Sequence, residues 1–339
     1  MNICIYTPVL EKILIIDYAE SIIFTKNLYD IGTFEVKIPI INSNINDINV
    51  GFFIKAVYSN SDYYIIREIE KVFSNTDGNY IYLRGEELKA LLSYRIIVGQ
   101  KILNDTVENN CTNIVNYVND NYAFFYPIRI VSSTHTTIYQ LQFDFENVYT
   151  AIKTITDTAG FYFDLQFNED LQRYELLVFS KQDYTDTIFS QSFNNMLSFS
   201  EKIDNYNTCN IPVVVGEGSG NSKRYQIVGS IPLQSNDIYC KVDATEISSN
   251  SGVISQQEYD NFLINQGIAY KNANKQANSY ETQVDTSLFK YKNDFVIGGV
   301  VTIINPDTKD RLYALITEVT QKWDIDGYAC DLKLEFTNI

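Results

Sequence analysis

Two stretches of this sequence, some 250 residues apart from Glu68 to Glu318, carry the same signals in the same order. Each opens on a glycine before an apolar run, Gly51-Phe52-Phe53-Ile54 and Gly299-Val300-Val301-Thr302. A polar loop follows, at 59–62 or 306–310. Next comes a strand-like segment with the pattern I-x-E-[IV], which holds Glu68 or Glu318 and ends in a large aromatic, Phe73 or Trp323. An Asp-Gly pair, Asp77-Gly78 or Asp326-Gly327, is a hairpin signal. An alternating segment, 81–84 or 330–333, closes each stretch. Any two β-meanders share alternation. The shared glutamate, aromatic and Asp-Gly at near-equal spacing favour a true duplication. The structural repeat positions are therefore Gly51, Glu68, Phe73 and Gly78 in the first copy and Gly299, Glu318, Trp323 and Gly327 in the second.

The segments around the repeats are read as follows. Residues 2–7 and 12–16 form a short hairpin, and 21–26 and 33–40 are strands joined through Asp30-Ile31-Gly32. Phe34, Val36 and Ile38 alternate with Glu35 and Lys37, which buries one face. Strands at 51–58, 62–73 and 79–84 follow, with a turn or two of helix at 86–92. Near residue 98 the pattern changes. Asn104-Asp105 caps a helix that runs to about 119, with Val107, Cys111, Ile114, Val115 and Val118 on one face. Strands at 128–132 and 138–145, a helix at 147–158 stopped by Gly160, and a hairpin of 161–167 with 173–179 make this stretch α+β. Strands return after about 196, interrupted by a long helix at 256–279, and 283–289, 299–304, 311–323 and 328–337 end the chain as strands.

The length, 339 residues, calls for two or three domains. The expected fold is mainly β with an α+β insertion: two tube-like β-barrel domains at 1–97 and 193–339, flanking a smaller α+β domain at 98–192. The wealth of Tyr (26) and Phe (20) suits twisted, packed strand faces. A formal net charge of −16 argues against a specific nucleic-acid reader, which needs a basic footprint. It is compatible with a surface past which DNA slides. No run approaches the ~18 apolar residues of a membrane helix. The N-terminus lacks the basic and apolar regions of a signal peptide, so synthesis in a cytoplasm is expected.

Catalytic, cofactor-binding and metal-ligating sites find no support. The single histidine, His135, lies in a Ser/Thr-rich run with no nucleophile motif near it, and one histidine cannot build a histidine metal site. Asp164, Asp170, Asp183 and Asp186 lack calcium-loop spacing, and nothing singles out a glycosidase pair among 42 acidic residues. The Gly-rich run 215–224 lacks the G-K-[ST] ending of a phosphate loop, carries Glu217 and precedes a strand, so it reads as a flexible hairpin. Five scattered cysteines, an odd number with no C-x-x-C, are expected to be buried thiols rather than disulfides or zinc ligands.

Four passages in order resemble a known family. They are S-I-I-F-T-K-N-L-Y-D-I-G-T-F-E-V-K-I-P (21–39), G-N-Y-I-Y-L-R-G-E-E-L-K-A-L-L-S-Y-R-I-I (78–97), V-V-V-G-E-G-S-G-N-S-K-R-Y-Q-I-V-G (213–229), and F-V-I-G-G-V-V-T-I-I-N with R-L-Y-A-L-I-T-E-V-T (295–320). The chain is similar to the baseplate hub and tail proteins of Gram-positive phages and phage-tail-like bacteriocins, and remotely to the base of type VI secretion spikes. Gly299 stands where the family usually has an acidic residue. Residues 98–192 match least.

The resemblance implies a structural, non-enzymatic hub of a contractile phage tail or tailocin, built as a homotrimeric ring that adapts a sixfold tube to a threefold spike. The partners implied are further copies of the chain, a tail tube or tube-initiator protein and a central spike, with baseplate wedge proteins as further neighbours. It implies no catalytic residue and no cofactor, and it places the protein in an assembled phage tail or tailocin particle. Two other functions compete: a tail-tip module that binds carbohydrate or a receptor through its aromatics, and a peptidoglycan-degrading tail protein.

Overall fold

A computed structural model describes residues 2–40, 47–57, 62–76, 78–122, 126–132, 135–204, 206, 208–229, 237–275 and 277–337. Loop residues 59–61, strand residue Tyr58, Asp77 of the first Asp-Gly pair, and Ser133-Thr134 before the histidine lie outside them. The protein is mainly β with four α-helices among these residues, and the chain divides into two compact units. The first gathers 1–90, 181–202 and 278–339, and the second 91–180 and 203–277. Both repeat stretches therefore belong to one unit, and 203–277 groups with 91–180, a division unlike the limits at 97/98 and 192/193 expected from the sequence.

The first unit is organised by one 13-stranded sheet. Its path runs Ser200–Asp204, Ala277–Val284, Gly327–Phe336, Arg311–Asp324, Ser21–Asn27, Thr33–Pro39, Gly78–Glu87, Tyr63–Ser74, Phe53–Ala56, Ile3–Tyr6, Lys12–Ile16. Gly299–Ile304 branches off Arg311–Asp324 and pairs in parallel with Gln182–Phe189. The path has two ends, so no hydrogen-bonded ring of strands closes among the described residues, where two tube-like barrels were expected.

Strict alternation explains the local structure. Ile22 and Phe24 with Phe34, Val36 and Ile38 all turn inward, and join Ile3, Ile5, Ile54, Tyr64, Ile66, Ile81 and Leu83 in one apolar cluster. Each fully buried Ile of this kind contributes ~2 kcal/mol. Gly85 sits where the backbone of Tyr63–Ser74 comes closest, and a Cβ there would lie 1.8 Å from the Ile65 carbonyl oxygen.

The second unit is α+β. Gln100–Thr106 pairs antiparallel with Ile138–Asp144, so the region placed at the start of a helix is a strand. The helix, Val107–Asn121, starts one or two residues later than expected, because Thr106 rather than Asn104-Asp105 caps it, accepting from the Asn109 N–H. Alternation at 100–106 is masked by polar residues on a half-exposed strand. Helix Val148–Ala159 is capped by Asn147 and stopped by Gly160 in a left-handed conformation. Tyr162–Asn168 and Arg173–Phe179 form the expected hairpin, and Ile128–Ser132 joins it in parallel.

The long helix is Gln256–Ala273, six residues shorter than expected, and 277–284 is strand. Alanines at 273 and 277 continued the helical spacing, but the second of them opens a strand whose residues from Ser279 to Val284 pair with Gly327–Phe336. Correspondingly, 285–289 is not strand. Tyr259, Phe262 and Leu263 of the helix pack on Val214, Ala244 and Ile247.

The expectation of free thiols fails at one pair. Cys209 and Cys240 are disulfide-bonded, with Cα atoms 5.9 Å apart, while Cys4, Cys111 and Cys330 are free and buried. Ile211–Val215 pairs in parallel with Tyr239–Asp243, with Pro212 opposite Cys240, and this brings Cys209, two residues before the first strand, within reach of Cys240. Spacing in the sequence carries no trace of that pairing. Among the described residues, no helix is long and apolar enough to cross a membrane.

Candidate functional site, an assembly surface

The repeat positions fall on two hairpins built on one plan. Tyr63–Ser74 pairs with Gly78–Glu87, and Arg311–Asp324 pairs with Gly327–Phe336. Each ladder is interrupted once, between Ile66 and Glu68 in the first and between Ile316 and Glu318 in the second. A bulge of this kind bends its strand and re-aims the side chains beyond it. The first pair after each bulge is an ion pair, Glu68 with Arg84 at 2.6 Å and Glu318 with Lys333 at 2.9 Å. The hydrogen bond from Lys333 to Glu318 raises the lysine's pKa. Arg84 also reaches Glu35 at 2.5 Å and Glu70 at 2.7 Å.

The glycines mark the ends of the plan. Gly51 donates its N–H to the Ile66 carbonyl at 2.8 Å, and Gly298 donates to the Ile316 carbonyl at 2.9 Å. Both have left-handed φ, 89° and 77°, so the place of Gly51 is taken in the second copy by Gly298, one residue before Gly299. Gly299 itself begins a strand, and a Cβ there would lie 2.8 Å from the Tyr184 ring. At the hairpin tips Gly78 pairs with Ser74 and Gly327 with Asp324, both glycines with positive φ. Phe73 and Trp323 occupy the same place on the plan but differ in surroundings. Phe73 is 70% exposed, whereas Trp323 packs against Phe24 and Tyr328 with centroids 6.3 and 4.9 Å away.

The difference comes from a junction that the sequence reading missed. Beyond its bulge, Glu318 to Trp323 pairs with Ser21–Asn27, running Glu318↔Asn27 to Trp323↔Ile22. Asn27 donates to Glu318 at 2.9 Å, Thr25 and Thr320 hydroxyls lie 3.1 Å apart, and the Tyr29 hydroxyl donates to Glu335 at 2.6 Å. The corresponding part of Tyr63–Ser74, from Glu68 to Phe73, has Gly78–Glu87 on one side and no strand neighbour on the other among the described residues.

The strand order extends the likeness. The first half runs Ser21–Asn27, Thr33–Pro39, Gly78–Glu87, Tyr63–Ser74, Phe53–Ala56 and then Ile3–Tyr6. The second runs Ser200–Asp204, Ala277–Val284, Gly327–Phe336, Arg311–Asp324, Gly299–Ile304 and then Gln182–Phe189. Six strands follow each other in the same order, but the sixth differs in direction: Ile3–Tyr6 is antiparallel to Phe53–Ala56, whereas Gln182–Phe189 is parallel to Gly299–Ile304.

A buried ion triad lies beside these strands. Asp62 stands 3.1 Å from Lys26 and 2.8 Å from Lys292, with the Lys26 side chain 5% exposed and that of Asp62 12% exposed. Burial alone would push the Asp62 carboxyl up, but the two ammonium groups outweigh it and hold the pKa well below the usual carboxylate value. A second buried pair, Lys89 with Glu87 at 2.8 Å, is anchored by the Asn27 and Asp30 carbonyls, which accept from Lys89. Neither group was singled out from the sequence: Lys26 looks there like any alternating polar position of a strand, and Lys89 and Lys292 lie in turns.

The other candidates dissolve into structure. His135 sits against Phe161 and Tyr139, with ring centroids 5.0 and 6.2 Å away. The Gly-rich run is an ordered hairpin in which Glu217 pairs with Arg224, the Glu217 N–H donates to the Tyr259 hydroxyl, and Ser249 N–H donates to the Glu217 carboxylate. Asp183 accepts from the Thr185 N–H and hydroxyl. Among the described residues, no group of His, Cys, Asp or Glu could hold a metal ion. An open cleft of about 470 Å³ on the sheet face is lined by Glu281, Glu318, Lys322, Asp331 and Lys333, in which Lys322 pairs with Asp331 and Lys333 with Glu318.

A sequence profile of the Siphovirus ReqiPepy6 Gp37-like protein family matches residues 2–336. No curated protein matches the chain by sequence. Among solved structures, the tail protein from Neisseria meningitidis MC58 superposes with a TM-score of 0.65 at 14% identity, over 98% of this chain and 95% of that one. The 43 kDa tail protein of prophage MuSo2 from Shewanella oneidensis gives 0.63 at 14% identity, over 98% of both chains. The E. coli c3393 protein, a component of the type VI secretion system with structural similarity to T4 tail proteins gp27 and gp5, gives 0.54 at 11% identity, over 95% of this chain and 74% of that one. At such identities the likeness is one of fold.

Proposed function

Because this chain belongs to the Siphovirus ReqiPepy6 Gp37-like family and has the fold of phage tail proteins, we propose that it is the hub of a phage tail or tailocin baseplate. The hub is a homotrimeric ring. It mates with a sixfold tail tube or tube initiator on one side and a threefold spike on the other, with wedge proteins as outer neighbours. The observation that carries this reading is the duplicated strand order, with its bulge and ion pair at equal places. Three chains with two like halves offer six like edges, which resolves a three-to-six mismatch by closed symmetry. In this reading the two halves become tube-like on assembly, one supplied mainly from 1–97 and the other mainly from 193–339 together with Gln182–Phe189, with the rest of 98–192 outside the tube.

The role is structural. Three copies bring three times −16, a formal −48, into one ring. That charge suits a lumen through which DNA or a tape-measure protein slides without adhering. Phe24, Phe34, Tyr64, Phe189, Tyr259 and Phe295 are buried core and offer no face to a sugar.

Light scattering on the purified chain, alone and with its tube and spike partners, tests the proposal. A mass of three chains is expected. A monomer under every condition, or clearing of peptidoglycan in a zymogram, overturns it.

A further inference from the structure

The junction within the chain supplies a template for a junction between chains. Inside the chain, the bulged strand of the second half, Arg311–Asp324, is covered by the leading strand of the first half, Ser21–Asn27. The bulged strand of the first half, Tyr63–Ser74, lacks that cover from Glu68 to Phe73 among the described residues. The leading strand of the second half, Ser200–Asp204, pairs with Ala277–Val284 and ends the sheet path, so among the described residues its other edge has no strand neighbour either. One half has an uncovered acceptor strand and the other an uncovered donor strand.

We propose that the edge from Glu68 to Phe73 of one copy pairs antiparallel with Ser200–Asp204 of the next copy, repeating the internal junction at each seam of the ring. This rests on the hub reading and specifies its self-contact. The partner is a second copy of this chain because only its second half carries the strand that the template requires. The contact is head-to-tail, so it closes only as a ring. Exposed edges seek such partners.

Side chains along both edges fit a covered seam. Phe73 is 70% exposed, Ile203 66% and Leu197 58%, and these apolar groups lie on or beside the two edges. The counterpart of Phe73 at the internal junction, Trp323, packs against Phe24.

The register follows from the template. Glu70 takes the place of Thr320, both being two residues beyond the Glu of the bulge. Ile22 faces Val36, which faces Leu83, and Thr282 faces Leu332 while its hydroxyl donates to the Ser198 carbonyl at 2.6 Å. Ser198 thus stands in the place of Ile22, and Glu201 in that of Thr25. Thr320 faces Thr25 inside the chain, so Glu70 of one copy faces Glu201 of the next. Arg84, 2.7 Å from Glu70, offsets the repulsion between these carboxylates.

The test is disulfide trapping in the full chain. The double variant Glu70→Cys with Glu201→Cys, both exposed positions, is oxidised and run on a non-reducing gel. Bands at two and three chains are expected, while Thr25→Cys with Thr320→Cys serves as the internal control and gives only a one-chain band. Hydrogen exchange on the unmodified protein is the second readout. Amides 68–73 and 200–203 are expected to slow at least tenfold on assembly. A trimer by light scattering with neither trapping nor slowed exchange overturns the seam and leaves the hub standing. A monomer with no trapping overturns both.

Discussion

Arg84 holds Glu68 at 2.6 Å across the first residue pair beyond a bulge, and Lys333 holds Glu318 at 2.9 Å in the same place of the second hairpin. The two bulges make these ion pairs equivalent, since each returns a Glu to the same face after one unpaired residue. The carboxylates of Glu68 and Glu70 are half-exposed, and exposed pairs contribute about 0–1 kcal/mol. Arg84→Ala is therefore expected to lower monomer stability by no more than about 1 kcal/mol. In the hub it leaves Glu70 facing Glu201 of the neighbour, and weakens the trimer. Denaturant midpoints and sedimentation of the same variant separate the two effects.

Asp62 is different because it is largely shielded from solvent, beside a buried Lys26 and a half-buried Lys292. Asp62→Ala leaves the ammonium groups of Lys26 and Lys292 without their common counter-ion, and is expected to cost about 3–5 kcal/mol. The pH dependence has a definite sign. The folded-state pKa lies below the ordinary 3.8, so the stabilisation is fully present above that value. It fades as pH falls from there through the lower folded value. Urea denaturation at pH 7 and pH 3 should show the difference between wild type and variant shrinking in acid.

Two glycines should differ in how they fail. Gly51 has φ of 89° and open space around its Cβ position, so Gly51→Ala costs only the left-handed backbone, about 1–2 kcal/mol. Gly85 has no such strain, but a Cβ would strike the Ile65 carbonyl at 1.8 Å. Gly85→Ala is expected to cost more than Gly51→Ala, about 3 kcal/mol, since the two strands must separate. Thermal melting of both variants ranks them.

Phe73 and Trp323 test the uncovered edge. Trp323→Ala removes packing against Phe24 and is expected to destabilise the monomer by about 2–3 kcal/mol, below the full value for a buried Trp because the ring is only partly buried. Phe73→Ala should change monomer stability by less than about 0.5 kcal/mol. Its effect should appear in the trimer dissociation constant.

The bond between Cys209 and Cys240 closes a loop of 31 residues, which chain entropy values at about 3–4 kcal/mol. Cys209→Ser with Cys240→Ser should therefore lower stability by up to that amount. Alkylation of the denatured wild type should label three thiols without reductant and five with it.

Much was written locally. The pattern of Phe34, Val36 and Ile38 against Glu35 and Lys37 determined a half-buried strand, because side chains on a strand alternate between faces. Asn147 and Gly160 set both ends of one helix, because capping needs only neighbouring residues. Matching signals 250 residues apart placed Glu68 and Glu318 at like positions, because repeated local patterns survive in sequence.

Long-range pairing decided the rest. That Arg311–Asp324 is covered by Ser21–Asn27 while Glu68 to Phe73 is left open, that Cys240 meets Cys209, and that Lys26 and Lys292 converge on Asp62 all depend on which distant strands become neighbours. Backbone hydrogen bonds are the same for every residue but proline, so the choice between partners rests on the summed fit of two faces and leaves no mark on either segment alone.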